Sequence, residues 1–541
     1  MNLVLLAWSI ASCLLLLPPV QGRAEIIDLR GSGLMDMPEN AYFSWLQALK
    51  TDPDQRLDLT LTEPSDNATI PANAAAPIIS WTSEAPTVLV KLTAGPVTIR
   101  AICVGSAWEP EARAWEKLRD AAKGRTIRIE VSPVAGEDGR SILPGAATNL
   151  NVDLHELRTP VAYLSLPVPF RTAKQNPSLA AWRLARVSDA GEPDTFMTNL
   201  PVCANCHAYS DDGSAMLLDM DVDGDKGGFV LADVRPEVVM DRGACRSWNT
   251  LPATAPSPFS FGLFARLSPD GGTAVATVGE TSLFVMIDRD DYSQLFFPVT
   301  GQIGVYNRSN DTFAHLPGTT DPDYVHTGPS FSPDGREIAF SRARVNPGYV
   351  RAVLDKTIQR ESSDTTVQAL NARYPYRFDL CAVPFPNPGH DSPRPLPGAS
   401  ANGKSNYFPR YSPDGRWIVF TQAPTGLVLQ PDSRLCIIPA RGGEPHVLAC
   451  NTARMNSWHC WSPDGRWLIF SGKGQGAETE IFLARMHEDG QSSASIRLHR
   501  LSLPNRACVV PEFLPGAAEN LRRARLGFEQ QIQINTQNNV R

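Results

Sequence analysis

Short apolar runs, separated by Pro, Gly and Asp, follow one another along the chain from about residue 200 onward. One unit recurs: an apolar residue, the tetrapeptide Ser-Pro-Asp-Gly, and then a strand-like run such as TAVATV, EIAFS, WIVFT or WLIFS. Complete copies begin at Ser268, Ser332, Ser412 and Ser462, and a degenerate copy begins at Ser210. Because Pro presets φ at the first turn position and Gly supplies a positive φ, each copy predicts a tight reversal between two β-strands.

A third strand-like run follows each reversal, as in GGFVLADV, GQIGVYNR and SRLCIIPAR, and a short fourth run follows in several units. Four antiparallel strands per unit, repeated at intervals of 50 to 80 residues, predict a β-propeller. The run Cys508–Leu514 is predicted to open one more blade, which AYLSLPV and AWRLARV complete from the other end. We therefore expect six blades over residues 160–515. The alternative, unrelated hairpins in a sandwich, does not explain five units with the same strand order.

Residues before the repeats have a different pattern. Residues 57–135 contain short β-runs separated by Pro, Asn and Gly, together with one amphipathic helix, EPEARAWEKLRDAAKG, and predict a small β-sandwich. Residues 23–56 are expected to form a linker with a short helical segment. The polar residues 516–541 predict a C-terminal tail, a short helix that frays into disorder. The predicted fold class is all-β: a small N-terminal β-sandwich followed by a six-bladed propeller.

The repeat unit resembles that of the TolB-type propellers, in which a strand, SPDG and an IAF-like strand follow one another. The resemblance covers roughly residues 200–515. It implies a TolB-like propeller of six blades, the usual number in that group. It implies no particular reaction, because a propeller is a scaffold that serves many functions.

Residues 1–22 have the pattern of a targeting segment. Residues 1–20 are apolar apart from a few small polar residues, and Val20-Gln21-Gly22 provides a cleavage point for a secretory signal peptide, although the first residues lack Lys and Arg. A lipoprotein box that ends at Cys13, with a lipid anchor there, is the alternative. No later stretch approaches 18 apolar residues. We expect an exported protein, periplasmic or associated with the cell envelope, with no membrane span beyond the signal segment.

Charge and cysteine content narrow the picture further. The chain has 541 residues, with 50 Lys and Arg against 57 Asp and Glu, and its net charge of −7 argues against a nucleic-acid partner. Ten cysteines are present. If Cys13 leaves with the signal peptide and Cys203 and Cys206 form a separate pair, seven remain. At least one of these is then expected to be unpaired, and a disulfide or two is expected in an oxidising compartment.

The segment Cys203-Ala204-Asn205-Cys206-His207 carries chemistry. In an exported protein, C-x-x-C-H is the signature of covalently attached haem c: two thiols three residues apart form thioethers with one porphyrin, and the adjacent His207 supplies the proximal iron ligand. A structural zinc site would need two more ligands, and a thioredoxin-like pair would need a βαβ pattern that is absent. A structural disulfide between Cys203 and Cys206 is the remaining alternative.

The stretch around this motif resembles exported bacterial proteins that fuse a C-x-x-C-H segment to a TolB-like propeller. The matching elements are a CxNCH core, an S-x-DG turn and an MD-x-D-x-x-KG run that begins at Met220; Ala208 stands where Ser is common. The resemblance implies a monohaem cytochrome-like propeller that serves electron transfer or redox sensing. Its partner would be a redox protein, or a protein or glycan of the cell envelope.

Two other functions stay open. One is a propeller that binds a protein, a peptide or a glycan without catalytic activity, with Cys203 and Cys206 joined as a disulfide. The other is a peroxidase-like haem enzyme, which requires an open sixth position on the iron. The chain contains no G-x-S-x-G, H-E-x-x-H, P-loop or G-x-G-x-x-G motif. No catalytic residue is therefore assigned.

Four side chains are candidates for the sixth iron ligand. His326 and His459 precede the serines of two SPDG turns by six and three residues, which predicts that both lie near the central channel. Met216 and Met220 are closer to the motif in sequence, and either would give the Met/His pair that raises a haem reduction potential.

The acidic run Asp219, Asp221, Asp223 and Asp225 resembles the first half of a calcium loop, because alternate carboxylates on a turn suit a hard cation. However, Val230 stands where an EF-hand has Glu, and the flanking runs are strands. Calcium therefore competes with a simpler interpretation, an acidic hairpin tip between two propeller strands.

Overall fold

The computed structural model of the protein describes residues 24–136, 138–198, 207–252, 259–289, 292–355, 372–386, 393–426, 430–474, 476 and 478–528. Cys203 and Cys206 therefore lie outside the described residues. Within them the chain folds into an N-terminal β unit and a propeller, and the predicted all-β fold class is confirmed.

The N-terminal unit consists of two sheets and two helices. Its elements are β1 (Glu25–Arg30), α1 (Glu39–Ala48), β2 (Lys50–Thr51), β3 (Leu59–Glu63), β4 (Ala68–Ile70), β5 (Ile79–Ser83), β6 (Thr87–Ala94), β7 (Val97–Val104), β8 (Ala107–Trp108), α2 (Ala112–Ala121), β9 (Thr126–Ala135), β10 (Ser141–Ile142) and β11 (Ala146–Val152). The larger sheet has the order β1-β7-β6-β9-β10-β2, with β11 on β9 and β4 on β11. The smaller sheet has the order β3-β5-β8.

This unit extends on both sides of the predicted range 57–135. Strand β1, which falls in the predicted linker 23–56, lies parallel to β7 with Glu25 opposite Val97. Strand β11 pairs with β9. Both additions cover strand edges that the shorter range would leave unpaired, and an unpaired edge is a site for aggregation.

Blades 1 to 3 begin the propeller. Blade 1 contributes β12 (Val161–Pro167), α3 (Phe170–Gln175), β13 (Ala181–Ala185) and β14 (Asp194–Thr198). Blade 2 consists of β15 (His207–Tyr209), β16 (Ala215–Asp219), β17 (Gly228–Asp233) and, after the outlying β18 (Glu237–Met240), β19 (Cys245–Ser247). Blade 3 consists of β20 (Leu263–Leu267), β21 (Thr273–Val278), the extra hairpin β22 (Ser282–Arg289) and β23 (Tyr292–Pro298), β24 (Gln302–Asn307) and β25 (Thr312–His315).

Blades 4 to 6 follow the same order. Blade 4 consists of β26 (Tyr324–Phe331), β27 (Glu337–Arg344), helix α4 (Pro347–Leu354), β28 (Asp379–Pro384) and β29 (Arg394–Pro395). Blade 5 consists of β30 (Ser405–Tyr411), β31 (Trp417–Ala423), β32 (Arg434–Pro439) and β33 (His446–Val447). Blade 6 consists of β34 (Asn456–Trp461), β35 (Trp467–Gly472), β36 (Glu480–Arg485) and β37 (Ile496–Arg497).

The ring closes with a strand from the far end of the chain. Strand β38 (Arg506–Phe513) pairs antiparallel with β12 and becomes the innermost strand of blade 1, as predicted for the Cys508–Leu514 run. Six four-stranded sheets result. Residues beyond 515 depart from the predicted tail: a 3₁₀ turn over Gly516–Asn520 leads into β39 (Arg523–Leu526), which pairs with β18. The backbone pairing with β18 gives this polar segment hydrogen-bond partners that its sequence does not reveal.

Each SPDG turn is held by its own side chains. In blade 3, the Ser268 hydroxyl donates to the Asp270 carboxylate at 2.5 Å and accepts the backbone N–H of Thr273 at 2.9 Å. The same carboxylate accepts the N–H of Gly272 at 2.9 Å. Gly271 has φ +68°, a conformation that glycine adopts without strain. The repeat motif thus fixes where the first strand of each blade ends, and with it which residues line the centre of the ring.

One apolar core joins the N-terminal unit to the propeller. It contains Trp81 and Trp115 from the N-terminal unit together with Trp467 and Ile481 from blade 6. Tyr163 and Cys508 from blade 1 belong to the same core. The seam where the ring closes is therefore covered by the N-terminal unit.

Candidate functional site

The innermost strands of the six blades line a central channel. The channel contains a cavity of about 380 Å³, and each of the six blades contributes to its lining. In five blades one lining residue lies two positions before the turn serine, and in the closing strand it lies two positions before Leu514. We call these six residues the channel ring: Ala208, Arg266, Ser330, Arg410, Cys460 and Glu512. The cavity opens on the side of the SPDG turns, where Pro269, Pro333, Pro413 and Pro463 line it.

Three members of the channel ring form a buried ion-pair cluster, here called the channel triad: Arg266, Arg410 and Glu512. Arg266 Nη1 donates to Glu512 Oε1 at 2.7 Å, and Arg410 Nη2 donates to the same oxygen. Burial alone would raise the pKa of Glu512, but the two guanidinium groups outweigh it and lower that pKa to about 2. Burial and the charge of Arg266 lower the pKa of Arg410. The triad ties blades 1, 3 and 5 together across the channel and carries one excess positive charge.

On the other side of the triad, a second ring of residues narrows the channel. Its residues lie four positions before each turn serine, or before Leu514 in the closing strand. Five of them are described: Phe264, Gly328, Phe408, Trp458 and Val510. All five have φ between +49° and +63°. Such values are rare for bulky side chains, and they persist only where the surrounding structure enforces them. We call this set the mouth ring. Its equivalent in the blade 2 repeat is Cys206 of the C-x-x-C-H segment, which lies outside the described residues.

His207 is the first residue of β15, and its side chain is 1% exposed. Its ring meets that of Trp182 edge-on, with centroids 4.3 Å apart. Burial lowers the pKa of His207 to about 3, against the opposing effects of Glu512 and of the Ala162 carbonyl. Neither ring nitrogen makes a hydrogen bond of normal geometry. The ring is therefore a buried neutral imidazole between blades 1 and 2.

The four candidates for the sixth ligand lie in different places. His459 is also buried and shares Arg266, Arg410 and Glu512 with His207 as electrostatic neighbours. Met216 and Met220 belong to the apolar core that contains Trp182, the ring partner of His207. His326 is buried against Phe340, and its charged neighbours are Arg342 and Asp321.

The four aspartates of the calcium candidate make separate contacts. Asp221 accepts the N–H of Gly224 at 2.8 Å, and Asp223 forms an ion pair with Arg242. Asp225 accepts from Ser247 Oγ at 2.5 Å. Asp219 is almost fully buried at the end of β16. Within the described parts of the chain, no group of three or more His, Cys, Asp or Glu side chains is arranged to hold a metal ion. A calcium site stays a prediction.

The disulfides expected elsewhere are absent from the described residues. All seven cysteines there are free thiols: Cys103, Cys245, Cys381, Cys436, Cys450, Cys460 and Cys508. Most are buried in strands, where they pack as small apolar side chains. Burial raises the pKa of Cys436 and of Cys450 to about 12, so neither carries a thiolate near neutral pH.

Reasoning from the sequence missed the channel triad. A signal for it was present, since Arg266-Leu267-Ser268 and Arg410-Tyr411-Ser412 place arginine at the same distance from two turns. Glu512 was hidden because its repeat has Leu514-Pro515-Gly516 in place of SPDG. Aligning all six innermost strands would have brought the three charges into one ring.

No helix in the described part of the chain is long and apolar enough to cross a membrane. No family model matches the sequence, and no curated protein matches it. Similar solved structures include TolB from Acinetobacter baumannii, 14% identical, with a TM-score of 0.42 over 85% of this chain and 100% of that one. A putative TolB from Agrobacterium tumefaciens is 15% identical, with a TM-score of 0.33 over 63% and 88%. The periplasmic gluconolactonase PpgL from Pseudomonas aeruginosa is 11% identical, with a TM-score of 0.34 over 62% and 82%. These scores are too low to carry an argument about function, so the fold rests on the six observed sheets and the function on the residues of the channel.

Proposed function

We propose that the chain is an exported c-type haem protein that serves electron transfer or redox sensing. Cys203 and Cys206 would hold haem c through two thioethers, and His207 would be the proximal ligand of its iron. The group would supply one-electron chemistry when bound. The partner is a redox protein or a component of the cell envelope.

The position of the motif is the observation that supports this proposal. C-x-x-C-H runs directly into β15, the innermost strand of blade 2, and its last residue, His207, is buried against blade 1 one position before Ala208 of the channel ring. By the repeat, Cys206 corresponds to the mouth ring, whose described members include Phe264, Phe408 and Trp458. An aromatic wall beside a macrocycle excludes water, and burial is one of the factors that set a haem reduction potential.

The chemistry of His207 fits the proximal role. A proximal ligand must be a neutral imidazole with a free ring nitrogen, and burial keeps His207 neutral at any pH above about 3. Both of its nitrogens lack a hydrogen bond of normal geometry, which is unusual for a buried polar group. Trp182 orients the ring edge-on. These residues thus supply an oriented, uncharged donor next to the two cysteines.

The test is covalent haem retention. The full chain is produced together with a c-type maturation system, denatured, and analysed by mass spectrometry and by the pyridine haemochrome spectrum. We expect one haem per chain, with loss of attachment in Cys203→Ala and in Cys206→Ala. Cys245→Ala is the matched control, because Cys245 is a free, partly exposed cysteine of the same blade. An unmodified mass with a Cys203–Cys206 disulfide would overturn the proposal and favour a propeller that only binds a partner.

A further inference from the structure

The channel triad leaves hydrogen-bond donors unused beside a cavity. Arg266 uses Nη1 for both of its bonds, to Glu512 and to the His207 carbonyl at 3.1 Å, and Arg410 uses Nη2. Nε and Nη2 of Arg266, and Nε and Nη1 of Arg410, have no partner among the described residues. The side chains of Arg266 and Arg410 keep 16% and 18% of their surface exposed. Two guanidinium groups thus share one oxygen of a single carboxylate and keep their other N–H groups available.

The charge around the cavity favours a second, singly charged anion. Two arginines face one glutamate in the wall, and burial, together with the charge of Arg266, lowers the pKa of Arg410. Asp211 also lines the cavity, at its exposed rim, where the other repeats have the proline of SPDG. A ligand with two negative charges would bring one of them towards Asp211 or Glu512. A single carboxylate avoids that repulsion and matches the planar donor pair of a guanidinium group.

The rest of the cavity is suited to an apolar body. Five prolines of the turns line it: Pro269, Pro333, Pro413, Pro463 and Pro515. A volume of about 380 Å³ equals that of roughly a dozen liquid waters. It lies near the lower end of the range for small-molecule pockets, about 300–1,000 Å³. The volume therefore matches a compact organic acid.

We propose that the channel cavity binds a small organic monocarboxylate, whose carboxylate is held by Arg266 and Arg410 and whose apolar body lies within the collar of turn prolines. Glu512 then acts as a built-in competitor that keeps the two arginines in place when the ligand is absent. The proposal is independent of haem, because it rests only on the innermost strands and the cavity that they enclose.

Titration calorimetry on the full chain tests this, with benzoate as the probe and with benzamide and inorganic phosphate as comparisons. Benzamide has the shape of benzoate without its charge, and phosphate is an anion, with one to two negative charges near neutral pH, that lacks the apolar body. We expect a heat of binding with benzoate and none with benzamide or phosphate. Arg410→Met should weaken benzoate binding at least tenfold. Arg416→Met is the matched control, because Arg416 lies six residues further on in the same blade and pairs with exposed Asp414 outside the channel.

A second variant tests the proposal by a gain of binding. Glu512→Gln keeps the shape of the side chain and removes the competing charge, so benzoate should bind at least fivefold more tightly than to the unaltered protein. The same variant should show a larger rise in melting temperature with benzoate. The proposal is overturned if neither protein binds benzoate at millimolar concentration, since the two arginines then hold no monocarboxylate. Equal binding of benzoate and benzamide would also overturn it, because the arginines would then play no part.

Discussion

His207 and His459 occupy the same position in two different repeats, three residues before the turn serine, and each ring is directed at the second strand of the preceding blade. His459 Nε2 lies 3.0 Å from the Val419 carbonyl of β31, and His207 is close to the Ala162 carbonyl of β12. Burial between blades is therefore a property of this repeat position. The C-x-x-C pair before His207, which is particular to the blade 2 repeat, is what singles it out as the proposed proximal ligand.

Buried neutral histidines should make the protein sensitive to mild acid. Burial lowers the pKa of His207, His326 and His459 from 6.5 to about 3. Between pH 6.5 and 3 the unfolded chain binds protons that the folded chain does not, so stability falls as the pH falls. Each histidine contributes up to about 1.4 kcal/mol per pH unit in that window. Urea unfolding at pH 7, 6 and 5 measures the slope.

One variant separates this effect from general acid sensitivity. His326→Asn removes one of the three titrating groups, so we expect a shallower fall in stability between pH 7 and pH 5 than in the unaltered protein. His446→Asn is the control, because His446 is exposed at the outer edge of blade 5. Identical slopes in all three proteins would show that His326 does not remain neutral in the folded state.

Glu512 should contribute to stability above pH 4.5 and lose that contribution in stronger acid. The two arginines lower its pKa from 4.5 to about 2, so the folded protein stays ionised while the unfolded chain takes up a proton. Its contribution is therefore lost as the pH falls from 4.5 to 2. Glu512→Ala leaves two buried arginines without their partner, and removal of one partner from a buried pair costs about 3–5 kcal/mol. Denaturant unfolding at pH 7 gives the cost, and a variant as stable as the parent would contradict the role of the triad.

The closing strand should be indispensable. A chain of residues 24–500 lacks β38, which leaves the edge of β12 unpaired and removes Glu512 from the channel. We expect this chain to aggregate or to lose its near-ultraviolet circular dichroism, whereas residues 24–528 should remain monomeric and folded. Residues 160–520 alone should be less stable than 24–528, because they expose the core that Trp467 and Cys508 share with the N-terminal unit. A folded, monomeric 24–500 chain would show that the ring does not need this closure.

What the sequence predicted and what it missed follow from the range of the interactions involved. SPDG turns are local signals, so the turns and the strands beside them were found, and the closing strand followed from the count of strands. The pairing of Glu25 with Val97 joins distant segments, and the sequence of β1 does not indicate which strand it pairs with. Glu512 lies 246 residues from Arg266 and on a repeat without SPDG, so their meeting required the ring geometry. Haem attachment at Cys203 and Cys206 was inferred from the C-x-x-C-H motif and its resemblance to exported haem propellers, and it stays a prediction.

The last expectation concerns the sixth iron ligand in the protein loaded with haem. His326→Ala should leave the ferric and ferrous spectra unchanged, because His326 is grouped with Phe340, Arg342 and Asp321 and not with the channel triad. Of the two histidine candidates, His459 shares its charged neighbours with His207, and its Nδ1 has no hydrogen bond. We therefore expect His459→Ala to convert the iron to a high-spin form that binds carbon monoxide readily.

The methionines provide the competing outcome, because Met216 and Met220 pack in the same core as Trp182. A methionine-ligated ferric iron shows a weak far-red band, and Met216→Leu or Met220→Leu would abolish it while preserving the packing volume. Such a band in the unaltered protein, lost in either leucine variant, would reject His459 as the ligand. A spectrum that responds to His326→Ala would contradict the separation of His326 from the channel. High-spin iron in the unaltered protein would mean that the sixth position is open, and it would favour peroxidase-like chemistry over electron transfer.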